Sequence, residues 1–174
     1  MNILEEIKKA DKSSKEFILS IAAAVKKDKN IIKQLVETLD KCDAIELATC
    51  ISILEHITKN EPELVLPHIQ CITRFINNPT PRVKWETSCL IGNMAAKFPD
   101  NVFCAAHQLL LNTNDDETVV KWSAAFALTE MAKNSPKARK ILVPKFHAIM
   151  NRETNSGVKN VYVKTLRYLE RRKK

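Results

Sequence analysis

The chain repeats itself, and this constrains its fold more than any other feature. PRVKWETSCLIGNMAAK at 81–97 aligns with TVVKWSAAFALTEMAKN at 118–134 at an offset of 37, placing Val83 on Val120, Lys84 on Lys121, Trp85 on Trp122 and Met94 on Met131. A third copy, SGVKNVYVKTLRYLERR at 156–172, follows at 38. Apolar columns extend the register: Leu54, Ile91, Leu128 and Leu166 form one, and Ile57, Met94, Met131 and Leu169 another. Ahead of them Ile32, Ile69, Ala106 and Val143 recur at 37, as do Leu35, Ile72, Leu109 and Phe146. A recurring unit of this length is one supersecondary element that buries its apolar face against its neighbours.

Within each half-unit the apolar spacing is helical, as in Ile69, Ile72, Phe75 and Ile76 or Val120, Ala124, Leu128 and Met131, so each unit is a pair of helices. Only two glycines, Gly92 and Gly157, occur in 174 residues, which favours helices over sheets with glycine turns. Pro62, Pro81 and Pro136 suit first-turn positions, Asp115 and Asp116 supply N-terminal acids, and the Asn77-Asn78 and Asn112–Asn114 segments break the preceding helices. Helices are expected near 2–10, 14–27, 30–40, 43–58, 62–77, 81–97, 100–112, 116–133, 137–151 and 156–172. They group into five repeats near 2–27, 29–59, 61–97, 99–134 and 135–174 of a single domain. The first pair keeps a different register, Ile18 and Ile21 matching Leu54 and Ile57 at 36, and its short leading helix is that of a terminal cap.

The second helices resemble those of the HEAT-repeat family, which open on a Val-Arg pair, continue with small residues and end in Leu-Gly and another aliphatic. Val83-Lys84, Thr87-Ser88, Ile91-Gly92 and Met94 follow that pattern, and Val120-Lys121, Ala124-Ala125, Leu128 and Met131 follow it again. The resemblance covers residues 30–174. Departures are lysine for the arginine, and Thr129 and Glu55 where Gly92 stands. The period and the absence of a Trp and Gly-Tyr pattern in the first helices argue against the tetratricopeptide alternative. The resemblance implies an all-α, armadillo-like, right-handed α-α superhelix of about five hairpins, with a concave face of second helices and kinks at Pro67 and Pro144. It implies binding of proteins, and in some members of nucleic acid; fold alone does not choose between these.

The opening residues carry acids and no sustained apolar run, unlike a secretory leader. No stretch approaches the roughly 20 apolar residues of a membrane span, so no membrane partner is expected. Five cysteines without a CxxC pair read as reduced thiols in a cytoplasmic setting.

Charge is unevenly spread. Residues 1–132 hold 15 Lys+Arg against 18 Asp+Glu, whereas residues 133–174 hold 13 against 2. The basic end, including Lys137, Arg139, Lys140, Lys145, Arg152, Lys159, Lys164, Arg167, Arg171 and Arg172 with the terminal Lys173-Lys174, points to an acidic protein surface or, as the alternative, to nucleic acid. A solvated tail without a partner is the other reading.

Trp85 and Trp122 share one repeat position, about 200° round the helix from the core valine. They read either as partner anchors or as packing between repeats. His68 with Cys71 and Cys104 with His107 have ligand spacing, but their repeat positions differ by one residue, so no zinc site or cofactor is assigned. Catalytic motifs are missing: no phosphate loop, G-x-S-x-G elbow or H-E-x-x-H occurs. The sharpest enzymatic rival is a HEAT-like alkylpurine DNA glycosylase, whose aromatics and carboxylate Trp85, Glu86, Trp122 and Glu130 could imitate. Glu55, Glu86 and Glu130 lie on second-helix faces where a phosphate groove needs positive charge. The expected function is a non-catalytic interaction module.

Removing residues 135–174 should lower the melting temperature of what remains, because it strips Val143, Phe146, Leu166 and Leu169 from the neighbouring repeat. A thermal melt followed by circular dichroism checks this; an unchanged midpoint would make the last pair an appendage.

Overall fold

A computed structural model of the chain describes residues 3–9 and 15–172. Residues 1–2, 10–14 and 173–174, and with them the ends of the helices expected at 2–10 and from 14, lie outside the described residues. Every regular element among the described residues is helical. Contacts divide the chain into two compact units, Met1–Leu90 and Ile91–Lys174.

In the first unit α1 (Ile3–Lys9) and α2 (Lys15–Lys27) precede α3 (Asn30–Thr38) and α4 (Ala44–Thr58), with α2 and α1 packed on α4. The start of α4 is fixed by a reciprocal cap. Asp43 Oδ1 accepts from the Ile45 and Glu46 N–H at 2.9 and 2.8 Å, and Glu46 Oε2 accepts from the Asp43 N–H at 3.1 Å. Two orphan donors are thereby satisfied by two residues.

The next first helix is broken, running α5 (Pro62–Val65), a 3-10 turn at Leu66–His68, α6 (Ile69–Thr73) and a second 3-10 turn at Arg74–Asn77. Pro67 sits in the first of these turns. Proline lacks the N–H that an α-helical ladder needs, so the ladder is interrupted at this turn. The following second helix, α7 (Pro81–Ala95), crosses the boundary between the units.

In the second unit α8 (Pro99–Val102), a 3-10 turn at Phe103–Ala105 and α9 (Ala106–Asn112) repeat the broken pattern without a proline at the turn. α10 (Thr118–Asn134), α11 (Pro136–Arg152) and α12 (Ser156–Arg171) are continuous. Pro144 lies inside α11, which continues through it. Buried Leu142, Phe146 and Ile149 hold the helix on both sides of the proline, with the Phe146 and Tyr162 rings 5.1 Å apart. Packing there outweighs one missing backbone bond. α10 begins at Thr118, two residues later than expected, because Asp115 Oδ1 takes the Glu117 N–H at 3.0 Å and holds the chain in a turn.

The connections are tied down by side chains. Ser135 Oγ accepts from the Ala138 N–H at the start of α11 and donates to Asp100 Oδ1 at 3.0 Å. Arg139 donates to the Ala132 and Lys133 carbonyls, both at 2.9 Å, satisfying the open end of α10. Arg152 donates to Thr113 Oγ1 at 2.7 Å. No helix among the described residues is long and apolar enough to cross a membrane.

Gly92 is needed where it stands. A Cβ added to it would lie 2.3 Å from Phe126 Cε1 and 2.5 Å from Cδ1, so the Phe126 ring packs directly on the α7 backbone. Alanine in a helix gains about 1 kcal/mol over glycine on propensity alone, whereas overpacking costs about 1–3 kcal/mol. Gly92→Ala is therefore expected to lower stability by about 1 kcal/mol in urea unfolding and to shift the Trp122 fluorescence through the displaced Phe126 ring. A stabilised variant would mean that the ring moves aside freely.

Candidate functional site

One row of α10 faces a cleft. Trp122, Phe126, Thr129 and Lys133 stand at i, i+4, i+7 and i+11, a single row on the helix surface. α12 presents a matching row of Gly157, Val161, Lys164 and Tyr168. The two rows border a cleft of about 290 Å³, which continues past Lys133, Asn134, Lys164 and Tyr168.

The cleft is aromatic and cationic. Trp122 is 43% exposed and stacks on Phe126, ring centroids 5.8 Å apart and planes 11° from parallel. Tyr168 is 41% exposed and has two cations near its ring, Lys133 Nζ 5.9 Å and Arg172 Cζ 5.3 Å from its centre. Arg172 also donates to Tyr168 Oη at 2.7 Å. Glu130 pairs with Lys133 and so is held as a partner within the same helix. An exposed aromatic beside a partly desolvated cation offers apolar area and charge to one ligand.

Of the residues singled out from sequence, Trp122 and Lys164 come together on this cleft. Arg172 borders it through Tyr168. Lys164, Arg167 and Arg171 are exposed and fall within about 60° of one another on α12. Lys159 is half-buried near the start of that helix. Trp85 belongs to the first unit, where it is half-buried. The basic end is not uniformly available, since Arg139 and Arg152 each commit part of their guanidinium donors to the fold. Phe126, Lys133, Asn160 and Tyr168 were not singled out from sequence, although the stripe that runs from Trp122 through Lys133 would have found the first two.

The carboxylates named with the enzymatic rival are engaged structurally. Glu86 Oε1 accepts from Ser52 Oγ at 2.8 Å, and Arg82 donates to the same hydroxyl at 3.4 Å. Burial pushes the Glu86 carboxyl above its usual range, against the pull of the Ser52 hydrogen bond. Burial likewise pushes the Cys89 thiol up to about 12, with Glu55 and Glu86 adding to it, so it stays protonated at neutral pH. Cys71, Cys104 and His107 are exposed on broken first helices, and no group of three or more His, Cys, Asp or Glu with metal-holding geometry occurs among the described residues.

Lys121, the lysine of the repeated Val-Lys pair, has a fixed partner. Its Nζ donates to Glu153 Oε1 at 3.2 Å, and the Asn155 N–H donates to the same oxygen at 2.7 Å. Burial opposes the Glu153 charge, yet the Asn155 and Thr154 N–H groups and the Lys121 ammonium hold its carboxyl below the usual range. This contact seats the loop before α12, and with it the α12 side of the cleft.

No protein-family model matches the chain, and no curated protein does. Among solved structures the chain is similar to an engineered protein at TM-score 0.72 and 18% identity, covering 95% of this chain and 78% of that one. It is similar to a designed armadillo repeat protein in complex with the peptide (KR)4, at TM-score 0.67 and 15% identity, covering 94% and 79%. A computationally designed armadillo repeat protein for modular peptide recognition matches at TM-score 0.67 and 16% identity, covering 92% and 79%. At such identities the likeness shows the fold.

Lys121→Met leaves the buried Glu153 charge without its cation and is expected to cost about 3 kcal/mol at neutral pH. Because the folded-state Glu153 pKa is depressed, its contribution is present above the ordinary carboxylate range and lost as pH falls through the folded value. The difference between wild type and variant in chemical unfolding should therefore shrink on acidification. A gap that stays constant from neutral to acid pH would show that the pair contributes nothing through charge.

Proposed function

From an armadillo-like helical-repeat fold we propose that this chain is a non-catalytic binding module, which takes an acidic segment of a partner protein along the cleft between α10 and α12. The observation that carries the reading is the juxtaposition of the stacked Trp122–Phe126 pair with Lys164 and the cation-flanked Tyr168 on one face. Large aromatics supply contact area at low entropic cost, and cations around them select charge and raise the encounter rate. Two similar structures are designed armadillo repeat proteins, one holding (KR)4 and one made for modular peptide recognition. That supports peptide binding on this fold. Here the end of the chain is basic, 13 Lys+Arg against 2 Asp+Glu in residues 133–174, so the complementary segment is acidic.

The reading extends to organisation and place. The repeats near 2–27, 29–59, 61–97, 99–134 and 135–174 act as one domain, supported by a register that runs unchanged past Leu90. A cytoplasmic location fits the cysteine usage. Nucleic acid is the second reading, favoured by the same aromatic and cationic face, because bases stack on aromatics and phosphates seek lysine.

Fluorescence anisotropy with an acidic peptide, single-stranded RNA and duplex DNA over a salt series separates the two. Trp122→Ala is expected to weaken peptide binding by at least tenfold, the loss of about 1.4 kcal/mol or more expected of an aromatic anchor. Lys164→Glu should weaken it further at low salt, with the difference closing as salt rises. Nucleic-acid binding that alone responds to both substitutions would transfer the function to the second reading, and binding indifferent to both would remove the cleft from consideration.

A further inference from the structure

We propose that the slot between α11 and α12, away from the aromatic cleft, is a second docking site filled by an acidic amphipathic helix of a partner protein. The slot is a cavity of about 470 Å³ whose apolar lining includes Pro136, Val143, Pro144, Leu166 and Leu169. Its position in the repeat explains why it is open. In the column that contains Val143, the earlier members Ile32, Ile69 and Ala106 are 2, 3 and 6% exposed. In the column that contains Leu166, the earlier members Leu54, Ile91 and Leu128 are fully buried. Val143 and Leu166 are only half-buried. The last pair thus exposes two residues that its own register treats as core, and uncovered apolar surface of this kind marks a contact site.

What covers such columns one repeat earlier is helical. α10, whose Leu128 and Met131 are fully buried, is packed by α11 and α12. A helix is therefore the occupant whose ridges fit the two rows bordering the slot. On α11 the row is Pro136, Lys140, Val143 and His147; on α12 the slot is lined by Leu166, Leu169 and Glu170. The charged residues of the lining are Arg139 and Lys140 on α11 and Glu170 on α12, within an end of the chain that holds 13 Lys+Arg against 2 Asp+Glu over residues 133–174. Lys140 is exposed, while Arg139 keeps its charge even though its donors cap α10. An occupant with an apolar stripe and Glu or Asp on the flank that meets the α11 rim is complementary to the apolar lining and to the basic end around it. A second copy of this chain would bring one strongly basic end against another, which like-charge repulsion disfavours.

The site is distinct from the α10/α12 cleft, so its test stands apart from the function proposed above. The probe is a fluorescein-labelled synthetic helix of roughly five turns, with leucine at i, i+3, i+4 and i+7 and glutamate on its flanks. Two controls have the same composition with leucines scattered, and the same stripe with lysine flanks. Anisotropy titrations on the full chain should show saturable binding of the first peptide and at least tenfold weaker binding of both controls. Val143→Arg, which fills the slot, and Lys140→Glu, which reverses an exposed charge, should each weaken binding about tenfold while circular dichroism and thermal melting stay as in wild type. Trp122→Ala should leave this affinity unchanged while it weakens the cleft's own acidic peptide, so the two proposals fail separately. Equal binding of the scattered or lysine-flanked peptide would overturn the proposal, as would indifference to both slot substitutions. So would sedimentation showing a dimer of the wild-type chain that Val143→Arg dissolves, since the slot would then belong to a second copy.

Discussion

The second unit depends on the burial of α10 on nearly every side. Its core residues Val120, Ala124, Leu128 and Met131 are fully buried, and so are Ser123, Ala125, Ala127 and Ala132 on other faces. A helix apolar or small all round is one that neighbours enclose. Alanine and serine let those neighbours approach closely, and α9, α11 and α12 all pack against it. The close approach of Phe126 to Gly92 belongs to the same design, in which backbone proximity takes the place of large interlocking side chains. Trp122, with half-buried Phe126 and Lys133 along the same side, is where α10 meets the candidate cleft.

Enclosed helices raise a polar problem, and the chain solves it locally. Thr49, Thr58, Ser88, Ser123 and Thr129 are buried, and each donates its hydroxyl to a carbonyl three or four residues earlier in its own helix. The hydroxyl is satisfied without a partner helix. Among the described residues Thr87 Oγ1 and Tyr162 Oη are buried without a hydrogen-bond partner, and burial pushes the Tyr162 phenol above its usual range. The Lys121–Glu153 pair is the costlier solution, a charge pair across the connection rather than within a helix. It works because two backbone N–H groups share the carboxylate, and a buried pair is tolerable only when its remaining acceptors are satisfied.

The basic end carries two unlike duties. Arg139 and Arg152 close helix ends and connections, so part of the charge that looks functional in composition is structural in place. Lys133 and Arg172 flank Tyr168, and Lys164 stands beside Trp122. Charge counted along a chain therefore overstates the charge available to a partner. Placement decides which lysines and arginines can meet a ligand.

The sequence by itself determined the helices and their pairing, because a 37-residue register of apolar columns admits no other period, and proline positions fixed several starts within two residues. It also located Trp122 and Lys164 as candidates, because chemistry-bearing residues at an off-core position stand out from the repeat. Tertiary structure alone decided what their surroundings are. That Trp122 stacks on its own helix neighbour Phe126 depends on rotamers no spacing specifies, and that Tyr168 joins Lys133 depends on the packing of α12 beside α10. Pro144 shows the limit from the other side. Proline forfeits one backbone hydrogen bond, yet α11 runs on through it with Leu142, Phe146 and Ile149 buried on either side, because a few buried side chains outweigh one lost backbone hydrogen bond.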